Sequence, residues 1–318
     1  MGNKPRILAV VGPTASGKTA LAVELALRFN GEVISADSMQ IYKGMSIATA
    51  KPDENEMKGI RHHLIDFLEP TETFSVSDFV NLADRTAKDI LSREKLPVLC
   101  GGTGLYIRSF VENIQFTEEK SDPALREELN RRYKNEGGEK LIEELSEFDP
   151  ETAQKLHPSQ SKRIVRAIEI YRLSGITMSE AVRRSRSVPS PYDFTIIGIT
   201  YADRQKLYDR IDRRVDMMLE KGLIEEAKAF YRSAAGCTAC AAIGYKELKP
   251  YLDGNCSLEE AVQRLKQETR HYAKRQLTWF RKDNNINWIE ADKTANITEE
   301  AYRIAQSSGL RAESALLL

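Results

Sequence analysis

Ile7-Leu8-Ala9-Val10-Val11-Gly12-Pro13-Thr14-Ala15-Ser16-Gly17-Lys18-Thr19 decides how this chain folds: five apolar residues, the spacing G-x-x-x-x-G-K-T, then a stretch of helical texture. A short unbroken apolar run is the pattern of a strand buried on both faces, as in a parallel sheet. Gly12 and Gly17 let consecutive backbone N–H groups turn inward around an anion, and the helix that follows adds the positive end of its dipole. Lys18 can reach an outer phosphate, and Thr19 is placed to hold Mg2+ through its hydroxyl. Gly12, Thr14, Ala15, Ser16, Gly17, Lys18 and Thr19 therefore read as a diphosphate cradle.

Outward from the cradle, strand and helix patterns alternate. A helix is expected from about Thr19 to Phe29 and a strand over Glu32-Val33-Ile34-Ser35-Ala36, ending at Asp37. Another buried strand, Leu96-Pro97-Val98-Leu99-Cys100, runs into Gly101-Gly102-Thr103-Gly104. This is the rhythm of a parallel sheet with helices on its faces, in which ligands sit beyond the carboxyl ends of the strands. Asp37 and Thr103 both stand there.

From about Ser121 the texture turns to pure helix. Asp122-Pro123 reads as N-cap and first helical residue, and Gly137-Gly138 stops that helix. Further helices are expected at about 140–148, 161–173 and 177–186, the last opened by the capping box Thr177-x-x-Glu180. Phe194 to Ile199 returns as a strand, helices resume at about 204–220, 224–232 and 258–282, and Asn287-Trp288-Ile289 is a final strand before a frayed end after about Ser307. The fold class is α/β: a P-loop NTPase-like parallel sheet core flanked by helices (residues 1–120 plus 192–318), with an inserted all-helical domain (residues 121–191).

The 318 residues, 41% of them hydrophobic, can build a sizeable core. No stretch approaches membrane-spanning length, the first apolar run is too short for a signal-peptide core, and four unevenly spaced cysteines make no disulfide framework. A soluble cytoplasmic protein is expected, with a monomer as the default. Charge balances at 47 basic and 47 acidic side chains, yet unevenly along the chain. Residues 118–147 carry ten acids against six bases, 160–187 seven bases against two acids, and 262–282 seven bases against one acid. Such basic patches suit a phosphate backbone and equally suit solvated helix faces. Within the second patch on the long helix, Lys266, Arg270 and Lys274 recur every four residues and share one face.

A carboxylate at a strand end beside a diphosphate site makes a good general base, the reading favoured for Asp37, which is also placed to cap a helix or bind Mg2+. Ordinary P-loop NTPases need a strand ending in a metal-holding Asp, and the strand Leu96 to Cys100 ends in Gly-Gly-Thr instead. Tyr272, Trp279 and Phe280, spaced by about seven residues on the long helix, read as a buried face. Cys237-x-x-Cys240 is only half a zinc site, and the neighbours His62 and His63 point different ways, as structural residues do.

The ordered motifs Gly12 to Thr19, Asp37-Ser38-Met39-Gln40-Ile41-Tyr42, Thr49-Ala50-Lys51, His62-His63-Leu64-Ile65-Asp66 and Gly101 to Tyr106 resemble those of the tRNA dimethylallyltransferases. So do Leu156-His157-Pro158, Lys162-Arg163-Ile164-Val165-Arg166-Ala167, Ala242-Ile243-Gly244-Tyr245-Lys246-Glu247 and the run Thr269 to Arg281. The likeness covers residues 7 to 282. It departs at Ser159-Gln160, where the family usually reads Asn-Asp, and at Ser46-Ile47-Ala48, in place of Asp-Ile-Gly.

The resemblance implies transfer of a dimethylallyl group from dimethylallyl diphosphate to N6 of the adenosine 3′-adjacent to the anticodon. Asp37 would be the base, Lys18 and Mg2+ would steady the leaving diphosphate, and Thr103 would sit between amine and bridging oxygen. Residues implied to approach tRNA are Asp37, Ser38, Met39, Gln40 and Thr103, then Arg126, Ser161, Lys162, Arg163, Ile164 and Val165, then Gly244, Tyr245 and Lys246. Arg270 and Lys274 join them as phosphate clamps on the basic stripe. Other readings are a P-loop kinase of a nucleoside or small metabolite, prenyl transfer to free AMP, and an RNA-binding ATPase.

Overall fold

The computed structural model describes residues 4–116, 122–233 and 236–311. By chain contacts it divides into two compact units, Met1–Val111 with Pro191–Leu318, and Glu112–Ser190. The segments entering and leaving the second unit tie to each other: Gln115 N donates to Ser185 O, and the Asn113 amide donates to the carbonyls of Val188 and Pro189. This pairing sets the division at Val111, ahead of residues 117–121. The expected start of pure helix at Ser121 lies outside the described residues.

The first unit is built on a six-stranded sheet in the order β3-β2-β4-β1-β5-β6, all neighbours parallel. Its strands are β1 (Arg6–Val11), β2 (Gly31–Ser35), β3 (His62–His63), β4 (Leu96–Gly101), β5 (Asp193–Thr200) and β6 (Ile286–Glu290). Before the second unit come the helices α1 (Lys18–Arg28), α2 (Glu54–Met57), α3 (Val76–Ser92) and α4 (Gly104–Val111). The apolar run of β1 does what a two-faced strand must. Ile7, Ala9 and Val11 enter one core with Phe79 and Ile90 of α3, while Leu8 and Val10 enter another with Leu21 and Leu25 of α1. The neighbours β1 and β4 send the chain opposite ways, since β1 connects past β4 to β2 and β4 connects past β1 to β5. The crevice at such a reversal is where open parallel sheets bind ligands.

The second unit is helical: α5 (Pro123–Glu136), α6 (Gly138–Phe148), α7 (Pro150–Lys155), α8 (Ser161–Ser174) and α9 (Met178–Ser185). Leu129, Leu141, Leu145, Ile164, Val165 and Ile168 form its core. Asp122 caps α5 through the N–H groups of Ala124 and Leu125, with Pro123 at the first position, and Thr177 caps α9 through Glu180 N. Back in the first unit, α10 (Arg204–Glu220), α11 (Leu223–Ser233), a 3-10 turn (Thr238–Ala241), α12 (Tyr245–Leu252) and α13 (Leu258–Phe280) follow β5. Helix α14 (Ile297–Ser307) closes the fold against α1; residues 312–318 of the expected frayed end lie outside those described.

Candidate active site

The cradle between β1 and α1 is shaped to receive an anion. Gly17, the residue before α1, sits at φ 93 and no side chain caps the helix, so its first N–H groups stay available. Ser16 Oγ is buried with no hydrogen-bond partner. Lys18 Nζ lies 3.3 Å from Pro13 O, and desolvation pulls its pKa below the ordinary value. A desolvated cation and an orphaned hydroxyl beside free N–H groups are what a diphosphate would satisfy.

The cradle opens into a cavity of about 340 Å³. Thr14, Lys18, Thr19 and Asp37 line one part of it, and Ile211, Val215, Met218 and Leu265 give it apolar wall. Asp37 Oδ1 accepts from Met39 N (2.9 Å) and Gln40 N (3.3 Å), while Oδ2 has no protein partner among the described residues. Thr103 Oγ1 accepts from Ser38 N at 3.1 Å, which joins the glycine turn after β4 to the Asp37 segment. That turn is fastened to the cradle by Gln276 of α13: its Oε1 accepts from Thr14 N at 2.8 Å and its Nε2 donates to Gly102 O at 3.0 Å. The approach is close enough that a methyl at Gly102 would lie 2.2 Å from Gln276 Nε2.

Three wall residues, Arg214, Arg275 and Gln276, were not named as site residues from the sequence, and Tyr272 was read otherwise. Arg214 of α10 lines the cavity with no ion-pair partner among the described residues, and desolvation lowers its pKa. Arg275, Gln276 and Tyr272 line it from α13. Tyr272 corrects the buried-face reading: Trp279 and Phe280 pack into the core as expected, but Tyr272, about two turns earlier on the helix, lines the cavity. His62 also lines the cavity, its Nε2 buried without a partner, whereas His63 is spent on Glu32. Cys237 and Cys240 place their sulfurs 3.6 Å apart, and no group of three His, Cys, Asp or Glu among the described residues could hold a metal alone. The hard hydroxyl oxygen of Thr19 at the cradle fits Mg2+, which takes its remaining ligands from phosphate and water.

The sequence profile of the IPP transferases matches residues 40–283, and that of the isopentenyl transferases matches residues 5–73. This chain belongs to the IPP transferase family. The tRNA dimethylallyltransferase of Acetivibrio thermocellus is 50% identical over 289 residues, 90% of this chain and 92% of that one. The tRNA dimethylallyltransferase of Bacillus subtilis is 46% identical over 288 residues, 90% and 91% of the two chains. Among solved structures, the full-length tRNA isopentenylpyrophosphate transferase of Bacillus halodurans superposes with a TM-score of 0.71 at 45% identity, covering 96% of this chain and 95% of that one. A eukaryotic dimethylallyltransferase acting on tRNA gives a TM-score of 0.82 at 28% identity, covering 98% and 81%.

For an IPP transferase, the expected tRNA contacts divide sharply by burial. Ser38, Met39, Gly244 and Lys246 line the cavity, and Lys162 and Arg163 are exposed at the start of α8 behind the half-buried Ser161. Ile164 and Val165, also expected there, keep their side chains buried in the helical core, since they occupy the inward face of α8. Tyr245 is likewise core, fully buried, with its hydroxyl on Glu226. Gln40 lines the cavity, but both its amide protons go to the carbonyls of Thr49 and Ala50. Arg126 is held by the buried Glu169 through two hydrogen bonds, of 3.1 and 3.0 Å. On the basic stripe, Arg270 pairs with Asp212 and Lys266 with Asp216, leaving Lys274 exposed.

Proposed function

We propose that this IPP transferase moves a dimethylallyl group from dimethylallyl diphosphate to N6 of the adenosine 3′-adjacent to the anticodon, tRNA position 37, giving N6-isopentenyladenosine and diphosphate. The observation that carries the reading is one cavity lined by both a cationic phosphate cradle and a strand-end carboxylate with a free oxygen. The amine nitrogen attacks the allylic carbon, the bond from that carbon to the bridging oxygen breaks, and diphosphate leaves with the electron pair. Asp37 Oδ2 takes the proton that the amine sheds.

Negative charge grows on the diphosphate as the bond breaks, so donors fixed around it stabilise the transition state more than the ground state. The N–H groups of residue 15 and residues 17 to 19, with Lys18 and Arg214, supply that stabilisation, those of Thr14 and Ser16 being held by Gln276 and Pro13. Mg2+ held through Thr19 would add a further positive charge at the phosphates. Thr103, fixed by Ser38, stands beside the base to orient amine and bridging oxygen. The target base must leave its stack to enter the cavity, at a cost of a few kcal/mol. Lys162, Arg163 and their helical unit hold the anticodon stem meanwhile, working in the cytoplasm and as a monomer.

Radiolabelled dimethylallyl diphosphate or ATP, each supplied with unmodified tRNA or AMP, tests this. Label from dimethylallyl diphosphate is expected in tRNA alone. Label moved from ATP, or prenyl-AMP formed in preference to prenyl-tRNA, would overturn it.

A further inference from the structure

One carboxylate outside the cavity lining collects more hydrogen bonds than a surface helix needs. Glu226 of α11 accepts from three consecutive backbone N–H groups, Ser46 (2.8 Å), Ile47 (2.7 Å) and Ala48 (2.9 Å), and from the Tyr245 hydroxyl (2.9 Å). Three successive N–H groups converging on one point form an anion nest, and this one is filled by the protein's own carboxylate. The nest is the head of a closed loop: Ala50 N donates to Ile47 O, and Lys51 N to Ser46 O. The loop presents the carbonyls of Thr49 and Ala50 to the Gln40 amide (3.2 and 3.1 Å), whose oxygen accepts from Ser35 Oγ at 3.1 Å. Gln40 N in turn is one of the two donors that fix Asp37 Oδ1.

We propose that Glu226 is a positioning residue for Asp37. The path runs by hydrogen bonds from carboxylate to nest, along the loop backbone to the carbonyls of Thr49 and Ala50, by hydrogen bonds from these to the Gln40 amide, and from Gln40 N to Asp37 Oδ1 over a longer 3.3 Å. Holding Oδ1 in this way aims Oδ2 at the amine. A base displaced by about 1 Å loses on the order of a hundredfold in rate. The nest also gives Ser46-Ile47-Ala48 a purpose that motif comparison did not: their backbones, not their side chains, do the work.

The inference rests on the prenyl-transfer reading above, so wild-type protein is run beside the variants with dimethylallyl diphosphate and tRNA. Glu226→Gln keeps the shape but turns an amide N–H toward the nest donors. Its kcat is expected to fall about tenfold to a hundredfold, with the donor KM and the tRNA Kd within about threefold of wild type. Glu226→Asp should recover part of the loss. Tyr245→Phe, which removes one bond of four and serves if Glu226→Gln does not fold, should lower kcat by a smaller factor with the same unchanged KM. A folded Glu226→Gln with wild-type kcat, or a loss confined to tRNA affinity, overturns the proposal; with Glu226→Gln unfolded, wild-type kcat in Tyr245→Phe does so. Absence of product from wild type would instead sink the prenyl-transfer reading.

Discussion

The two oxygens of Asp37 have different jobs because their surroundings differ. Oδ1 is committed to the N–H groups of Met39 and Gln40, and Oδ2, on a side chain that lines the cavity, has no protein donor among the described residues. Asp37→Asn preserves an acceptor for those N–H groups and removes only the ability to take a proton. Single-turnover transfer is therefore expected to slow by about 100- to 10,000-fold, with tRNA Kd unchanged. Weakened tRNA binding with near-normal transfer would show that the carboxylate serves recognition. The residues around it were unequally legible in sequence. Asp37 announces itself by standing at a strand end, and Lys18 by its glycine spacing. Arg214 and Gln276 sit mid-helix among many polar neighbours, and nothing local marks which of them turns inward.

At the scale of elements, the two-residue strand β3 is an edge that needs an anchor. It has one in Glu32, a buried carboxylate of β2 hydrogen-bonded to Arg93, Lys95 and His63. The Arg93 guanidinium foremost, then Lys95 and His63, hold its pKa far below the usual carboxylate range. A folded-state pKa below the unfolded one adds stability above the unfolded value, near pH 4.3, and that share is lost as pH falls further. Glu32→Gln is expected to cost about 2 kcal/mol in urea denaturation at pH 7. The gap from wild type should narrow steadily below about pH 4. A gap that stays constant down to pH 3 would mean the carboxylate's charge is not what anchors the edge. Element type here followed from pattern: β1, α5, α9 and α10 were readable from apolar runs and caps. Helices α7 and α12 were not, being short and, in α12, carrying Pro250, and α2, α3, α4 and α14 were not named from the sequence either.

For the molecule, basic charge matters only where the fold leaves it unpaired. In the helical unit, Arg166, Arg172, Arg183 and Arg184 all pair with carboxylates, whereas Lys162 and Arg163 are exposed at the start of α8 with no ion-pair partner among the described residues. Replacing either by Ala is expected to weaken tRNA binding and lower the slope of log K against log salt by about one. Thermal stability should barely move. Arg126→Ala should do the opposite, because it strips a partner from the buried Glu169 and destabilises the unit by about 3 kcal/mol. An unchanged salt slope in both α8 variants would remove the helical unit from the tRNA interface.

The sequence by itself determined the cradle and the parallel sheet and put a carboxylate beside them, since each rests on local rules: a glycine spacing, an apolar run, an acidic residue where a strand ends. Only the tertiary structure decided which charges are free, that Ile164, Val165 and Tyr245 are core, and that Glu226 reaches Asp37 through a loop 180 residues away in the chain. Burial and pairing are properties of surfaces brought together from distant segments, and no periodicity in one segment records what will pack against it.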